Sequence, residues 1–213
     1  MTNQGVRRRT GAIIATMRTR PWNHNVQYHD LVLRLAPPGC RRALDVGCGQ
    51  GLLARRLAGC CDEIIAIDID RDTLVQAKAA SLSEHRITFV QGDVMTHPLS
   101  ENSFDFITAV ATLHHLPLRP ALARFKELLR PGGILAVIGL YRAHAVQDYA
   151  VAAIAFPSSW ILRGLRSTAK VAAPVRNPGE TLHEIRTVCG TMLPGAVLQR
   201  RLFFRYSLIW RKP

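Results

Sequence analysis

Lysine is almost missing from this 213-residue chain: four of its 28 basic residues are Lys, so a formal charge of +13 is carried by arginine. Cysteine is sparse. Cys40, Cys48, Cys60, Cys61 and Cys189 form neither a C-x-x-C pair nor a Cys/His ligand spacing. Their odd number suits no disulfide framework, which points to a reducing cytoplasm and to no bound metal. Long apolar runs are also absent. The longest, Tyr149 to Leu162, is interrupted by Pro157, Ser158 and Ser159, well short of the roughly 20 residues that span a bilayer. Arg7-Arg8-Arg9 is followed by only Ala12 to Ala15, too little for a signal-peptide core.

What remains is a globular composition, 48% hydrophobic and 20% charged, in a length that buries roughly 70% of its unfolded surface as one domain. The charges are segregated. Residues 1–42 carry eight Arg against Asp30 alone, residues 43–129 eight basic against eleven acidic groups, and residues 130–213 twelve against three. Basic flanks around an acidic middle either steer an anionic partner, such as an acidic carrier protein, a phospholipid headgroup or nucleic acid, or reflect arginine-rich coding.

Residues 1–20 lack helical periodicity and read as a mobile basic tail, leaving 21–213 as a single domain. Leu31, Val32 and Leu35 have helical spacing up to the stop at Pro37-Pro38-Gly39. Strand and helix then alternate: strands at 43–46, 63–67, 87–91, 104–110 and 134–139, helices from 52 to 57, 72 to 80 and 120 to 129. Fully apolar strands in that rhythm predict a doubly wound α/β fold with a parallel sheet covered on both faces. A helix at 181–192 and strands at 197–201 and 206–211 follow, the last two joined by a short turn and so antiparallel.

Asp45-Val46-Gly47-Cys48-Gly49-Gln50-Gly51 falls where the first strand gives way to a helix, so its glycines let a ligand approach the sheet's carboxyl edge. A dinucleotide site presents amides to a pyrophosphate, and a carboxylate at position 45 would repel it. S-adenosylmethionine (SAM) has no phosphate, and its methionine end bears an ammonium, so Asp45 selects SAM. Asp68, ending the second strand before Ile69, is placed to accept the ribose hydroxyls, while Asp70 caps the next helix. Gly92-Asp93-Val94 after the third strand offers a carboxylate for the adenine amino group.

Taken together, Leu44–Gly51, Ile67-Asp68, Gln91-Gly92-Asp93, Ser103-Phe104-Asp105, Leu113-His114-His115-Leu116 and Leu129–Gly133 resemble the class I SAM-dependent methyltransferases. The likeness is to the small-molecule branch that includes ubiquinone and menaquinone methyltransferases. The resemblance implies a seven-stranded sheet in the order 3-2-1-4-5-7-6 with strand seven antiparallel, and S-adenosyl-L-homocysteine (SAH) as product. It implies Gly47, Gly49 and Gly51 around the methionine part, Asp68 at the ribose, Asp93 and Val94 at the adenine, and Ala109 and Val110 near the sulfonium, with Cys48, Ile69 and Gly92 also in the cofactor site. One departure is Val110, where the family often has Asn.

Methyl transfer from a sulfonium is an in-line displacement that needs alignment and dryness more than chemical groups. A general base would help an oxygen or carbon acceptor; His29, His114 and His115 are the candidates, His115 and His29 foremost. The stretch Thr108–Thr112 lacks the Asp-Pro-Pro-Tyr pattern of exocyclic-nitrogen methylation, and no cysteine near strands four to six other than Cys189 is available as a pyrimidine nucleophile. Nucleic acid is therefore disfavoured. Segments 21–36 and 141–180 are expected to roof the acceptor site, with Trp22, Tyr28, His29, Tyr141, Arg142 and Trp160 as candidate contacts; such clusters equally serve as core filling. Three readings follow: an O- or C-methyltransferase of a small molecule; a carboxyl methyltransferase acting on an acyl carrier protein, with Arg142 on the carboxylate; or a protein that binds SAM without turnover. Likeness to the malonyl carrier-protein O-methyltransferases is confined to the shared SAM core.

Overall fold

The computed structural model describes residues 25–143 and 177–213. A 3-10 turn at Val26–Tyr28 runs into α1 (His29–Leu33), followed by β1 (Cys40–Val46), α2 (Leu52–Leu57), β2 (Cys61–Asp68), α3 (Arg71–Ala79) and β3 (Ile87–Gln91). Then come β4 (Phe104–Val110), a 3-10 turn at Leu113–His115, α4 (Leu118–Leu128), β5 (Leu129–Leu140), α5 (Leu182–Met192), β6 (Val197–Arg201) and β7 (Arg205–Arg211). The seven strands form one sheet in the order β3-β2-β1-β4-β5-β7-β6. β1 to β5 run parallel, and β7 is antiparallel to both of its neighbours.

The two-residue period of the strands sorts the core into two layers. Leu44, Ile65, Ile107 and Val137 face α4 and α5, meeting Leu122, Phe125, Ile185 and Cys189. Ala43, Ile64, Phe106 and Ala136 face the other way, onto Val32, Leu53, Leu57 and Leu74 of α1, α2 and α3. Both faces of the central strands are thus dry, as parallel strands require. At the amino edge, the Asp105 carboxylate accepts the Arg41 and Arg42 N–H groups, each at 2.9 Å, and the Arg130 guanidinium at 2.8 Å. These bonds lock β1, β4 and β5 into register.

The boundaries that shift most from the sequence reading are the starts of β5 and β1. Arg130-Pro131-Gly132-Gly133, expected as a break before a strand at 134, lies inside β5, which begins at Leu129. The ladder to β4 slips between Phe104 and Phe106, and Gly132 and Gly133 bond instead to Lys212 beyond β7. β1 begins three residues early, because Cys40 pairs with Cys61 of β2. Among the described residues no helix is long and apolar enough to cross a membrane, and no His/Cys/Asp/Glu group is arranged to hold a metal. The expected tail (1–20), the residues 144–176 of the second roofing segment, Trp22 and Trp160 lie outside the described residues.

Candidate active site

The carboxyl ends of β1 to β4 surround a cavity of about 430 Å3, inside the range of small-molecule sites. Its floor is the turn after β1. Gly47, Gly49 and Gly51 have φ of +67°, +51° and +70°, a region that a Cβ makes costly. A Cβ on Gly47 would land inside the Thr112 side chain, and one on Gly51 against the Phe89 ring.

The amides of this turn are already used. Gly47 and Cys48 donate to the Ile67 carbonyl at 2.8 and 3.2 Å, Gly49 to Asp68 Oδ2 at 2.8 Å, and Gly51 to the Cys48 carbonyl at 2.9 Å. An anion nest needs unspent N–H groups; this turn offers none of those four to a pyrophosphate.

Carboxylates dominate instead. Asp45, 2% exposed, accepts the Thr108 hydroxyl on Oδ1 at 2.9 Å, and the Ala54 N–H also favours its ionised form. Burial, helped by the nearby Asp68 charge, lifts this carboxyl from 3.8 to about 7. A buried carboxylate is costly unless a cation offsets it, and a ligand ammonium in the adjoining cavity would. Asp68 spans the turn: besides Gly49, its Oδ1 accepts the Asp70 N–H at 3.0 Å. Asp70 caps α3 through the Thr73 N–H, as its position suggested. Asp93 accepts the Met95 N–H at 2.9 Å, and its exposed neighbour across the cavity is Ile69. The donor set therefore fits a cation-bearing, phosphate-free nucleoside.

Of the residues singled out from sequence, Asp45, Gly47, Cys48, Gly49, Asp68, Ile69, Gly92, Asp93, Val94 and Val110 line the cavity, as do His29 and His115. Gly51 does not, being the residue that starts α2. Ala109 does not either: it is wholly buried in the β4 core. The expected acceptor contacts need correction. The Tyr28 hydroxyl turns away to donate to the Leu202 carbonyl at 3.2 Å, and burial raises its pKa. Tyr141 is core, edge-on to Phe204 with ring centroids 6.4 Å apart. Arg142 is exposed and does not line this cavity; its N–H holds the Glu180 carbonyl at 2.8 Å.

Further lining residues join these, among them Asn25, Ala111 and Thr112. Asn25 reaches the wall while accepting the Arg205 guanidinium at 2.7 and 3.2 Å, a contact between chain ends that no local pattern signals. Ala111 (φ +55°) and Thr112 turn the chain out of β4, and the Ala111 N–H donates to the Ile138 carbonyl at 2.7 Å. Positive φ at a non-glycine residue marks a constrained site edge. His29 is 5% exposed, and burial beside Arg56 lowers its pKa to about 4, so it is neutral near pH 7. Burial raises the Cys48 thiol far above its usual range and Cys189 to about 11; neither is a nucleophile at neutral pH.

Residues 44–137 match the model of a methyltransferase domain. An uncharacterized methyltransferase of Mycobacterium tuberculosis is 36% identical over 200 residues, covering 91% of this chain and 98% of that protein. The ubiquinone biosynthesis O-methyltransferase of Xanthomonas axonopodis is 32% identical over 164 residues, 71% of this chain and 67% of its own. Among solved structures, the N-methyltransferase NodS of Bradyrhizobium japonicum, crystallised with S-adenosyl-L-homocysteine, superposes with a TM-score of 0.62 at 19% identity, covering 95% and 97%. That last likeness speaks for the fold alone. With relatives matched along nearly its whole length and a carboxylate-lined glycine turn suited to an ammonium-bearing donor, the chain belongs to the class I SAM-dependent methyltransferases.

Proposed function

We propose that this enzyme methylates a small-molecule acceptor at oxygen or carbon. In this reading Asp45 and the Gly47–Gly49 turn face the methionine end of the cofactor, Asp68 the ribose, and Asp93 with Ile69 and Val94 the adenine. Bound SAM supplies an electrophilic methyl group on a sulfonium centre. The protein's work is to fix that donor and shape a dry approach to it, where alignment accounts for most of the rate. Val110, Thr112 and Leu116 wall the cavity on the β4 side and exclude water there. His115, on the same side, is the group placed to take a proton from an acceptor hydroxyl. His29 contributes a neutral imidazole to the opposite wall and, with its pKa near 4, is too weak a base for the task.

The observation that carries the donor assignment is Asp45: a buried carboxylate among the residues lining a cavity whose Gly47, Cys48, Gly49 and Gly51 amides are already bonded. Similarity to a ubiquinone biosynthesis O-methyltransferase supports oxygen as the accepting atom. Incubation with SAM and a panel of hydroxylated aromatic acceptors, with SAH and methylated product followed by mass spectrometry, tests the reading. Acceptor-dependent SAH release supports it, and absence of SAM or SAH binding sinks it.

A further inference from the structure

A second cavity of about 290 Å3 opens beside the first. The two share His115 and Leu116, so they meet at the turn that follows β4. Among the described residues its walls come from two separate stretches of chain: His114, His115, Leu116 and Pro117, and Asn177, Gly179 and Glu180.

The second wall is built rigidly. The Glu180 carbonyl accepts the Arg142 N–H at 2.8 Å, Arg142 bridges to Thr181 next in sequence, and Thr181 and Glu184 close a reciprocal capping box at the start of α5. Glu180 thus sits one residue ahead of a fixed helix end. No hydrogen bond to a described residue is made by its carboxylate, whose charge reaches the buried Tyr206 phenol and helps raise its pKa. Among the described residues that line this cavity there is one carboxylate, one amide and two imidazoles, the latter with ring centroids 4.0 Å apart, and no lysine or arginine. Arg142, whose N–H holds the Glu180 carbonyl, is exposed and borders neither cavity.

Resting on the donor-site reading above, we propose that the second cavity is the acceptor subsite and that Glu180 is its specificity-determining residue. It selects a small neutral or cationic acceptor bearing hydroxyl or amino donors and rejects one bearing a carboxylate. An ionised acceptor of hydrogen bonds rewards a donor or cation and repels an anion, more strongly in a confined cavity than in open water. The volume, at the lower end for ligand sites, suits a molecule of about one substituted ring rather than an extended acyl chain. His115, at the junction, lies between this subsite and the donor cavity, which aligns acceptor and donor without a further element.

Three catechols that differ in charge provide the test: dopamine, 4-methylcatechol and 3,4-dihydroxyphenylacetate, each titrated calorimetrically into enzyme saturated with SAH. The amine and the neutral catechol are expected to bind roughly tenfold tighter than the acid, and Glu180→Lys to reverse that order. SAH affinity should stay within about twofold in Glu180→Lys and Glu180→Gln, reporting an intact fold and donor site. The assignment is overturned if the acid binds the unmodified enzyme as well as the amine does. It is equally overturned if Glu180→Lys keeps the original order, or if none of the three binds while SAH does. Failure of SAH itself to bind contradicts the donor-site reading instead, so the two failures are distinguishable.

Discussion

The two halves of the active site are made differently. Around the donor cavity the carboxylates after β2 and β3 also belong to the local framework: Asp68 ties Gly49 to Asp70, Asp70 starts α3, and Asp93 holds its own turn through Met95. The cavity beside it is assembled from a turn after β4 and a segment before α5, distant in sequence. Donor recognition is therefore a property of strand ends, while acceptor recognition depends on how separate segments are held against each other.

The largest effect should come from filling the donor floor. Gly47→Val places a branched side chain at φ +67° inside the Thr112 position, so SAH affinity should fall by more than about 100-fold, read by calorimetry. Next, Asp68→Ala removes two charge-assisted bonds to backbone amides as well as any ribose contact. A weakening of roughly 10- to 100-fold is expected, with Asp68→Asn intermediate. An unchanged affinity in either variant would break the contrast, because the strand ends would then not be the recognition element.

A pH dependence sharpens it. The Asp45 carboxyl titrates near 7 in the free enzyme, raised from 3.8, and an ammonium beside it would favour the ionised form. Binding should then release a proton below pH 7, and SAH should bind about tenfold more weakly at pH 6 than at pH 7.5. For stability the sign is the reverse of the usual carboxylate case. With the folded value above the unfolded one, the free enzyme loses stability as pH rises from about 4 to 7. Asp45→Asn should accordingly raise the Tm of the free enzyme at pH 8 while weakening SAH, as expected when a destabilising group is kept for binding. Smallest in its effect on the donor is Asp105→Ala. It should leave SAH affinity unchanged yet lower Tm by roughly 5–10 °C, since the carboxylate holds two amides and Arg130 at the opposite edge.

The same contrast explains what could be read from sequence. β3, β4 and β6 run over the residues that periodicity suggested, and Asp45, Asp68 and Asp93 were legible because a strand end followed by a turn is a local pattern. Tyr28, Tyr141 and Arg142 were misplaced because aromatic or basic character does not reveal which way a loop residue faces. Tyr141 satisfies the core beside Phe204, and Tyr28 anchors the β6–β7 turn. Asn25 and Glu180 fall inside the two segments expected to roof the site but were not singled out within them, for the converse reason: their places in the walls depend on contacts with Arg205 and Arg142, far away in sequence. The slip in β5 had no local signal, since its glycines answer to Lys212 at the other end of the chain.

Calorimetry of SAH binding in buffers of different ionisation enthalpy, repeated with NAD and with the Asp45→Asn enzyme, bears most directly on the donor edge. Saturable SAH binding that releases a proton at pH 6, loss of that proton in Asp45→Asn, and no heat with NAD are the results expected of an ammonium meeting a buried carboxylate. Binding of NAD in place of SAH, or SAH binding without proton release in the native enzyme, would contradict it.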